Sequence, residues 1–370
     1  MDKVIVRFFR WMNHIQRRYA YNRYKKDKRK ELKERLSKLN TRRHLTNAQG
    51  NEIVEYYKRM TGMKISTLDH EYFYSRTGIY TKDYIPMAFF QSELIGRLNR
   101  MDLYDAYSDK NLDDVLLPSV KHPHFYLKNI NGYYYFEGRA VSKEDALERC
   151  ENLGEVIIKP SLSYMGTGVR KLHIIEDGKT DWDGKSLNEV FNEYKKDFLI
   201  QEAVQQHERM SALNPTSVNT LRMATYRSGM EVLLVYAVVR IGRKGQVIDN
   251  QSAGGISVAI RSDGTLGKYA FGSAGDDMIE KTDTGIVLEG YAVPSYEKAV
   301  ETVKRLHYSL PLFDLVGWDI SIDEEGEPVL IEWNGRPGPS QTACGTGYGE
   351  LTERIFSEVW GRKNTVSYHV

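Results

Sequence analysis

The chain has 370 residues, of which 41% are hydrophobic and 28% are charged, so its composition is that of an ordinary folded protein with room for two or three domains. Its two cysteines, Cys150 and Cys344, exclude a disulfide framework and a cysteine-based metal site. No apolar run approaches the roughly 20 residues of a spanning helix, and no signal-peptide core is present. We therefore expect a cytoplasmic protein.

Charge is distributed unevenly along the chain. Residues 1–45 hold 16 Lys and Arg against four acids, a balance of +12, which leaves −10 for the remainder because the whole chain carries +2. Leu32, Leu36 and Leu39 share one side of this basic helical arm. Such a helix can pack on its own domain or a second copy, or lie peripherally on an anionic inner membrane surface. Nucleic acid is disfavoured because no base-reading module follows.

Residues 46–118 predict a mostly helical front domain, with helical patterns over 51–62 and 88–104. They contain no G-x-G-x-x-G motif after a strand, so a dinucleotide-binding unit is not predicted. Near the end of this domain, Lys110 stands just before a predicted short helix. It is either a surface lysine at the helix start or a ligand whose partners lie further along the chain.

Residues 119–205 predict a small lid-like domain, in which strand, helix and strand patterns follow one another. Lys159 leaves the apolar strand EVIIK and enters a loop directly, where a lysine can direct a point charge at phosphate. The backbone N–H groups of such a loop can fold over an anion, although an ordinary hairpin turn is the alternative. The small and polar residues of this loop are Ser161, Gly166, Thr167 and Gly168.

A second apolar strand, FLIQEAV, ends this domain. The backbone groups of an extended segment can read a purine edge, so the segment predicts an adenine slot. The residues of the slot are Gln201, Glu202, Ala203 and Val204. Glu202 or Glu208 could take the ribose hydroxyls, although polar residues are also common at strand ends.

Residues 206–370 predict the large domain. Two adjacent predicted strands carry Arg222 and Arg240 near their ends, and Asn250 follows in a loop whose glycines let the backbone approach a ligand closely. A predicted helix then leads into the hairpin at 315–338.

This hairpin consists of the strands LVGWDISI and PVLIEWN, joined by a tight acidic turn. The alternation of side chains along a strand predicts that Asp319 lies near Glu332 and Asn334. Two carboxylates and one amide oxygen are hard ligands, which Mg²⁺ prefers when it also holds substrate phosphates. A surface hairpin with solvated acids is the alternative.

Taken in order, these motifs resemble the ATP-grasp superfamily over roughly residues 105–345. The segments SVNTLR, DNQSAGG and AYSDKN most resemble its sugar-transfer-associated branch. The resemblance implies an α+β ATP-grasp fold, in which two α+β subdomains clamp ATP behind a helical N-terminal region. The expected segments are the arm 1–45, the front domain 46–118, the lid subdomain 119–205 and the catalytic subdomain 206–370.

The resemblance also implies a role for each matching position. The nucleotide would be held by Lys110, Lys159, Ser161, Gly166, Thr167, Gly168, Gln201, Glu202, Ala203, Val204 and Glu208. Two Mg²⁺ ions, or Mn²⁺, would be bound by Asp319, Glu332 and Asn334. The transferring phosphoryl group and the acceptor carboxylate would be stabilised by Arg222, Arg240 and Asn250.

The implied activity is an ATP- and Mg²⁺-dependent carboxylate–amine ligase that works through an acyl phosphate. It would attach an amino acid or amine to a uronic-acid sugar in capsule or exopolysaccharide biosynthesis. The alternatives are a kinase-like ATP-grasp phosphotransferase and a non-catalytic nucleotide-binding scaffold at the membrane. Phosphoryl transfer depends mostly on positioning and charge neutralisation, so no nucleophilic side chain is required.

Two positions depart from the pattern of better-known relatives. Many carboxylate–amine ligases of the superfamily have an arginine two residues before the first metal-binding aspartate, where this chain has Gly317. Arg336 stands where a small hydroxyl residue is common, and it is either an acceptor-binding group or part of a surface ion pair. We expect acceptor specificity to differ at these positions.

Overall fold

The computed structural model describes residues 23–163, 166–175, 178–243, 245, 254–273 and 278–361. The chain divides into two compact units. Among the described residues, the first unit holds 23–98 and 338–361, and the second holds the remainder. The segment boundaries at 45, 118 and 205 stay predictions.

Helices occur in both units. The described helices are α1 (residues 23–37), α2 (Asn47–Thr61), α3 (Leu68–Thr77), α4 (Met87–Phe89), α5 (Ile95–Leu98), α6 (Tyr104–Tyr107), α7 (Asp113–Leu116), α8 (Lys143–Cys150), α9 (Leu187–Tyr194), α10 (Glu208–Leu213), α11 (Tyr296–His307), α12 (Gln341–Cys344) and α13 (Leu351–Gly361). A π-helical turn, Phe90–Leu94, joins α4 to α5, and a 3₁₀ turn, Lys110–Leu112, precedes α7. None of the helices in the described residues is both long and apolar enough to cross a membrane.

The first unit is helical, and its basic arm is partly described. Residues 1–22 of the predicted arm lie outside the described residues. In α1, Leu36 is buried, and together with Leu32 and Leu39 it packs against an aromatic cluster. The other members of this cluster are Leu68, Tyr72, Phe73 and Tyr84. The leucine side of the described arm therefore packs on its own unit.

Helix α2 shows how local sequence sets helix limits. The Thr46 hydroxyl accepts from the Gln49 N–H while the Gln49 side chain accepts from the Thr46 N–H, a reciprocal cap that begins the helix. The helix ends at Gly62, whose φ of 73° is a left-handed conformation that glycine adopts without a steric penalty.

The second unit contains two antiparallel sheets. The strands are β1 (Phe125–Ile130), β2 (Tyr133–Phe136), β3 (Arg139–Val141), β4 (Glu155–Pro160), β5 (Arg170–His173), β6 (Phe198–Glu202), β7 (Thr220–Ser228), β8 (Glu231–Ile241), β9 (Ile256–Ile260), β10 (Leu266–Phe271), β11 (Leu315–Ile322) and β12 (Pro328–Asn334). One sheet has the order β3-β2-β1-β6-β4-β5, and the other has the order β10-β9-β8-β7-β11-β12. The predicted α+β class and the predicted hairpin, β11 with β12, are confirmed.

The register of the second sheet gathers charged residues. Asp319 on β11 lies opposite Arg222 on β7 and opposite Glu332 on β12. Arg240 on β8 lies opposite Thr220 on β7, two residues before Arg222. Side chains two apart on a strand share a face, so this register brings two guanidinium groups and two carboxylates to one region of the sheet.

The helix predicted over residues 88–104 is wrong in its C-terminal part, because helical structure stops at Leu98. Asn99 instead forms an antiparallel bridge to Phe313. Its side-chain amide donates to the carbonyls of Leu315 and Gly335, at 2.7 and 2.6 Å, and its Oδ1 accepts from the Leu315 N–H at 3.0 Å. These contacts fix the start of β11 and the chain that leaves β12.

We expect Asn99→Ala to lower the free energy of unfolding by about 2 to 4 kcal/mol, because buried backbone groups lose their partners. Urea denaturation measures this change. Asn192→Ala is the control, since among the described residues the exposed Asn192 side chain accepts only from Lys143, and its expected change is within about 0.5 kcal/mol. Equal losses in the two variants would contradict the role given to Asn99.

Candidate functional site

A cavity of about 670 Å³ lies in the second unit, and strands of both sheets line it. From the first sheet, β4 contributes Lys159 and β6 contributes Gln201. From the second sheet, β8 contributes Arg240, β11 contributes Asp319 and β12 contributes Glu332. The volume is within the range of small-molecule and nucleotide sites.

Two lysines supply positive charge to the cavity. Lys110 is 4% exposed, so its interpretation as a surface lysine is wrong. Its Nζ donates to the carbonyl oxygen of Ser163 at 2.9 Å and lies 3.8 Å from the Glu332 carboxylate. Lys159 is also buried. Burial, reinforced by the charge of Lys110, lowers the pKa of Lys159 to about 8.

Asp319 is held by two arginines. Arg222 binds it in a bidentate manner, with Nε 2.7 Å from Oδ1 and Nη2 2.8 Å from Oδ2. Arg240 approaches Oδ1 at 3.4 Å. Burial alone would raise the pKa of Asp319, but the arginines outweigh burial and hold it below its ordinary value. Asp319 is therefore a buried, ionised carboxylate, and the solvated-hairpin interpretation is wrong for this residue.

The three residues predicted to bind metal lie on the same hairpin, but their surroundings differ. Asp319 and Glu332 both line the cavity. Asn334 is not among the lining residues, and its Oδ1 accepts from the Arg336 N–H at 2.7 Å and from the Tyr104 hydroxyl at 3.2 Å. Within the described residues, no group of three or more His, Cys, Asp or Glu side chains is arranged to hold a metal. The two carboxylates that line the cavity, Asp319 and Glu332, fit Mg²⁺, which needs few protein ligands when water and phosphate complete its shell.

The predicted adenine slot lies on the wall of the cavity. All five residues predicted for adenine and ribose line it: Gln201, Glu202, Ala203, Val204 and Glu208. Ile157 on β4 and Ile331 on β12 also line the cavity with apolar side chains. Gln201 is 4% exposed, and its Oε1 is buried with no hydrogen-bond partner among the described residues. A buried unpaired acceptor is costly without a ligand, so this atom fits a donor such as an amino group of a bound base.

The loop after Lys159 is only partly at the cavity. Gly166 lines it, whereas residues 164 and 165 lie outside the described residues. Gly168 has a φ of 76°, and a Cβ there would lie 2.8 Å from the Pro160 ring, so this position requires glycine. Ser161 is fully buried, and its N–H donates to the carbonyl of Asp197 at 2.7 Å.

Several predicted site residues do not line the cavity: Ser161, Thr167, Gly168, Arg222, Asn334 and Arg336. Arg222 reaches it indirectly through Asp319. Arg336 places its guanidinium 5.3 Å from the centre of the Tyr104 ring. Asn250 lies outside the described residues. The roles predicted for all these residues stay predictions.

Gly317 has a packing explanation. A Cβ at this position would lie 2.7 Å from the Pro337 Cβ and 3.4 Å from Nη1 of Arg222. A side chain larger than that of glycine therefore has no room at position 317. The guanidinium groups beside Asp319 come instead from the neighbouring strands β7 and β8.

Sequence reasoning missed further residues at or near the site, among them Asp113 and Tyr104. Asp113 is 4% exposed, and burial raises its pKa to about 7, although Lys159 and Lys110 oppose the rise. Its position in the first turn of the short helix predicted just after Lys110 could have identified it. Tyr104, which donates to Asn334, has no comparable signal, because 230 positions separate the two.

The amino-acid sequence matches a known protein family. The profile of the family described as sugar-transfer associated ATP-grasp matches residues 89–355. A search of curated proteins finds no match. The family match confirms the resemblance and the fold inferred from the ordered motifs.

The chain is also similar, at low identity, to several solved structures. L-amino acid ligase from Bacillus licheniformis has 12% identity and a TM-score of 0.40 over 70% of this chain and 49% of that chain. D-Alanine-D-alanine ligase from Helicobacter pylori has 14% identity and a TM-score of 0.40 over 70% of this chain and 59% of that chain. Biotin carboxylase from Campylobacter jejuni has 12% identity and a TM-score of 0.42, and this chain aligns with 48% of its length.

Lys159 leads to a pH prediction. Only its ammonium form attracts phosphate, and a pKa of about 8 means that the free protein loses this charge as the pH rises from 7 to 9. We expect affinity for a non-hydrolysable ATP analogue to fall up to about tenfold over this range. Calorimetric titration at both pH values measures it. Lys159→Arg keeps its charge and should flatten the profile, and an unchanged profile in this variant would contradict the assignment.

Proposed function

This chain belongs to the sugar-transfer associated ATP-grasp family, and we propose that it is an ATP- and Mg²⁺-dependent carboxylate–amine ligase. The observation that carries the proposal is the charge pattern of the cavity. Lys110, Lys159 and Arg240 provide cations for phosphate and carboxylate groups, and Asp319 and Glu332 provide oxygens for metal, all on the walls of one cavity. A binding scaffold has no need of the two carboxylates.

The nucleotide would occupy the cavity from the adenine slot to the lysines. The unpaired Oε1 of Gln201 would accept from the amino group of adenine, between the apolar side chains of Ile157 and Ile331. Lys110 and Lys159 would bind the phosphates. In the ligand-free protein the ammonium of Lys110 contacts Glu332 and the Ser163 carbonyl, so phosphate binding would exchange these partners.

Asp319, Glu332 and Asn334 would hold Mg²⁺. Bound Mg²⁺ would neutralise charge on the phosphates. Arg222 and Arg240 keep Asp319 ionised at neutral pH, which is the state that a metal ligand requires.

The proposed reaction joins a carboxylate to an amine. An oxygen of the acceptor carboxylate attacks the γ-phosphorus of ATP. The bond between the γ-phosphorus and the β–γ bridging oxygen breaks, ADP departs, and an acyl phosphate is formed. The amine nitrogen then attacks the acyl carbon, phosphate leaves, and the nitrogen loses a proton. Arg240 would hold the acceptor carboxylate. The sugar association of the family supports a uronic sugar of a surface polysaccharide or its precursor as acceptor, and an amino acid or amine as nucleophile.

Activity should require both co-substrates. With ATP, Mg²⁺ and panels of uronic acids and amines, we expect ADP and phosphate release only when both partners are present, and mass spectrometry should find the amide. Glu332→Gln should lower turnover at least a hundredfold, because a charged metal ligand is lost. Glu325→Gln is the control, since Glu325 is an exposed carboxylate in the turn of the same hairpin.

Two other outcomes would redirect the assignment. ADP release with one acceptor, together with a phosphorylated product, would indicate the kinase-like reaction. Tight ATP binding without turnover, together with unchanged surface polysaccharide in cells carrying Glu332→Ala, would indicate the scaffold.

For the basic arm we propose peripheral contact with an anionic inner membrane surface. Leu36 of α1 is buried and Leu32 is partly buried, so the accessible face of the helix is basic rather than apolar. The exposed basic residues of that face include Lys26, Arg29, Lys30 and Lys33. Such a face would bind lipid headgroups by charge and without insertion, so its binding would weaken in salt.

Reversing two charges tests this proposal. Lys26→Glu with Lys30→Glu should lower co-sedimentation with phosphatidylserine vesicles at least tenfold, at about 1 kcal/mol per basic residue near the surface. Arg139→Glu with Lys195→Glu makes the same net change at exposed positions elsewhere and should have little effect. Equal binding by the two double variants would contradict the membrane proposal.

A further inference from the structure

The ammonium of Lys110 joins the loop after β4 to strand β12. Its Nζ donates to the carbonyl oxygen of Ser163 at 2.9 Å and lies 3.5 Å from the carbonyl oxygen of Ser161. On the other side, Oε1 of Glu332 on β12 lies 3.8 Å away. In the ligand-free protein, Lys110 therefore faces a carboxylate that is proposed to bind metal.

The main chain at Lys110 is anchored independently of its ammonium. The Lys110 N–H donates to the carbonyl of Ser161 at 3.2 Å, and the Asp109 carboxylate accepts from the Asn111 N–H at 3.0 Å. The Asn111 side chain donates to the carbonyl of Asn129 on β1 at 3.2 Å. Because a lysine ammonium is carried on a flexible four-carbon stem, it can change partners while this turn stays in place.

We propose that Lys110 couples metal binding to nucleotide binding, because its ammonium competes with Mg²⁺ for Glu332 until bound phosphate withdraws it. This inference rests on the proposed function, in which Glu332 binds Mg²⁺ and Lys110 binds phosphate. The protein then binds either ligand weakly alone and both more tightly together.

The physical basis of the competition is electrostatic. Lys110 is 4% exposed, so water and salt screen its charge poorly. The Glu332 side chain is 33% exposed and lines the cavity, so a second cation can reach it. A carboxylate already paired with an ammonium attracts that cation less. Linkage makes the effect mutual, and couplings between two ligands are typically about 5- to 150-fold.

Mn²⁺ binding without nucleotide tests the competition directly. Mn²⁺ is titrated into the full-length protein at pH 7, and free Mn²⁺ is followed by electron paramagnetic resonance. We expect Lys110→Met to bind Mn²⁺ at least about fivefold more tightly than the wild type. Lys159→Met is the control and should show a smaller gain, because Lys159 lines the same cavity but forms no ion pair with Glu332 among the described residues. Equal gains in the two variants, or no gain in Lys110→Met, would overturn the proposal.

Glu332→Gln provides the reciprocal test through the nucleotide. In EDTA this variant releases the Lys110 ammonium, so we expect it to bind a non-hydrolysable ATP analogue at least about fivefold more tightly than the wild type. In saturating Mg²⁺ the order should reverse, because a metal ligand is lost. Glu325→Gln, in the turn of the same hairpin, should change neither affinity.

The Lys110→Met background shows whether the gain in EDTA comes from the lysine. In this background Glu332→Gln has no ammonium to release, so its gain should shrink. An undiminished gain would mean that the charge of Glu332 alone repels phosphate, and would overturn the proposal, as would a loss of affinity for the analogue in EDTA.

The same variants separate failure of this inference from failure of the proposed function. If Glu332→Gln lowers affinity for the analogue in Mg²⁺ but Lys110→Met leaves nucleotide-free Mn²⁺ binding unchanged, the coupling is wrong and the metal ligand stands. If Glu332→Gln changes affinity for the analogue by the same factor in EDTA and in Mg²⁺, Glu332 does not bind metal and the proposed metal site itself is wrong.

Discussion

The buried ion pair between Arg222 and Asp319 links the second sheet to its cavity. Its two short hydrogen bonds cross from β7 to β11, and Arg240 adds a third cationic contact from β8. Removing one partner of a buried pair typically costs 3–5 kcal/mol, because the other charge is left uncompensated. The ionised state of Asp319 depends on this pair, because burial alone would raise its pKa.

Charge balance in the ligand-free cavity follows the same principle. Each proposed metal ligand already has a protein partner: Asp319 has arginines, Glu332 has Lys110, and Asn334 has Tyr104 and a backbone N–H. Burying these groups unpaired would be costly. In the proposed complex, phosphates bind the cations and Mg²⁺ binds the oxygens, so the buried protein groups exchange one partner for another.

The segment between Leu98 and β1 has a role that its local pattern does not reveal. Asn99 fixes both ends of the β11–β12 hairpin, Tyr104 contacts the residues around Asn334, and Lys110 reaches Glu332. These three positions lie within 12 residues, and each acts on the hairpin more than 200 positions away. A short stretch without long helices thus supports much of the proposed metal site.

The sequence by itself determined the features that depend on near neighbours. Alternating side chains predicted the β11–β12 hairpin, and the order of weak motifs identified the family, because both signals are carried along the chain. Only the tertiary structure decided which groups pair across the sheets. The Arg222–Asp319 pair spans 97 positions, and Asn99 ends a helix that local periodicity would continue. Such contacts depend on strand order and register, and these are set by packing of the whole unit, which no local period encodes.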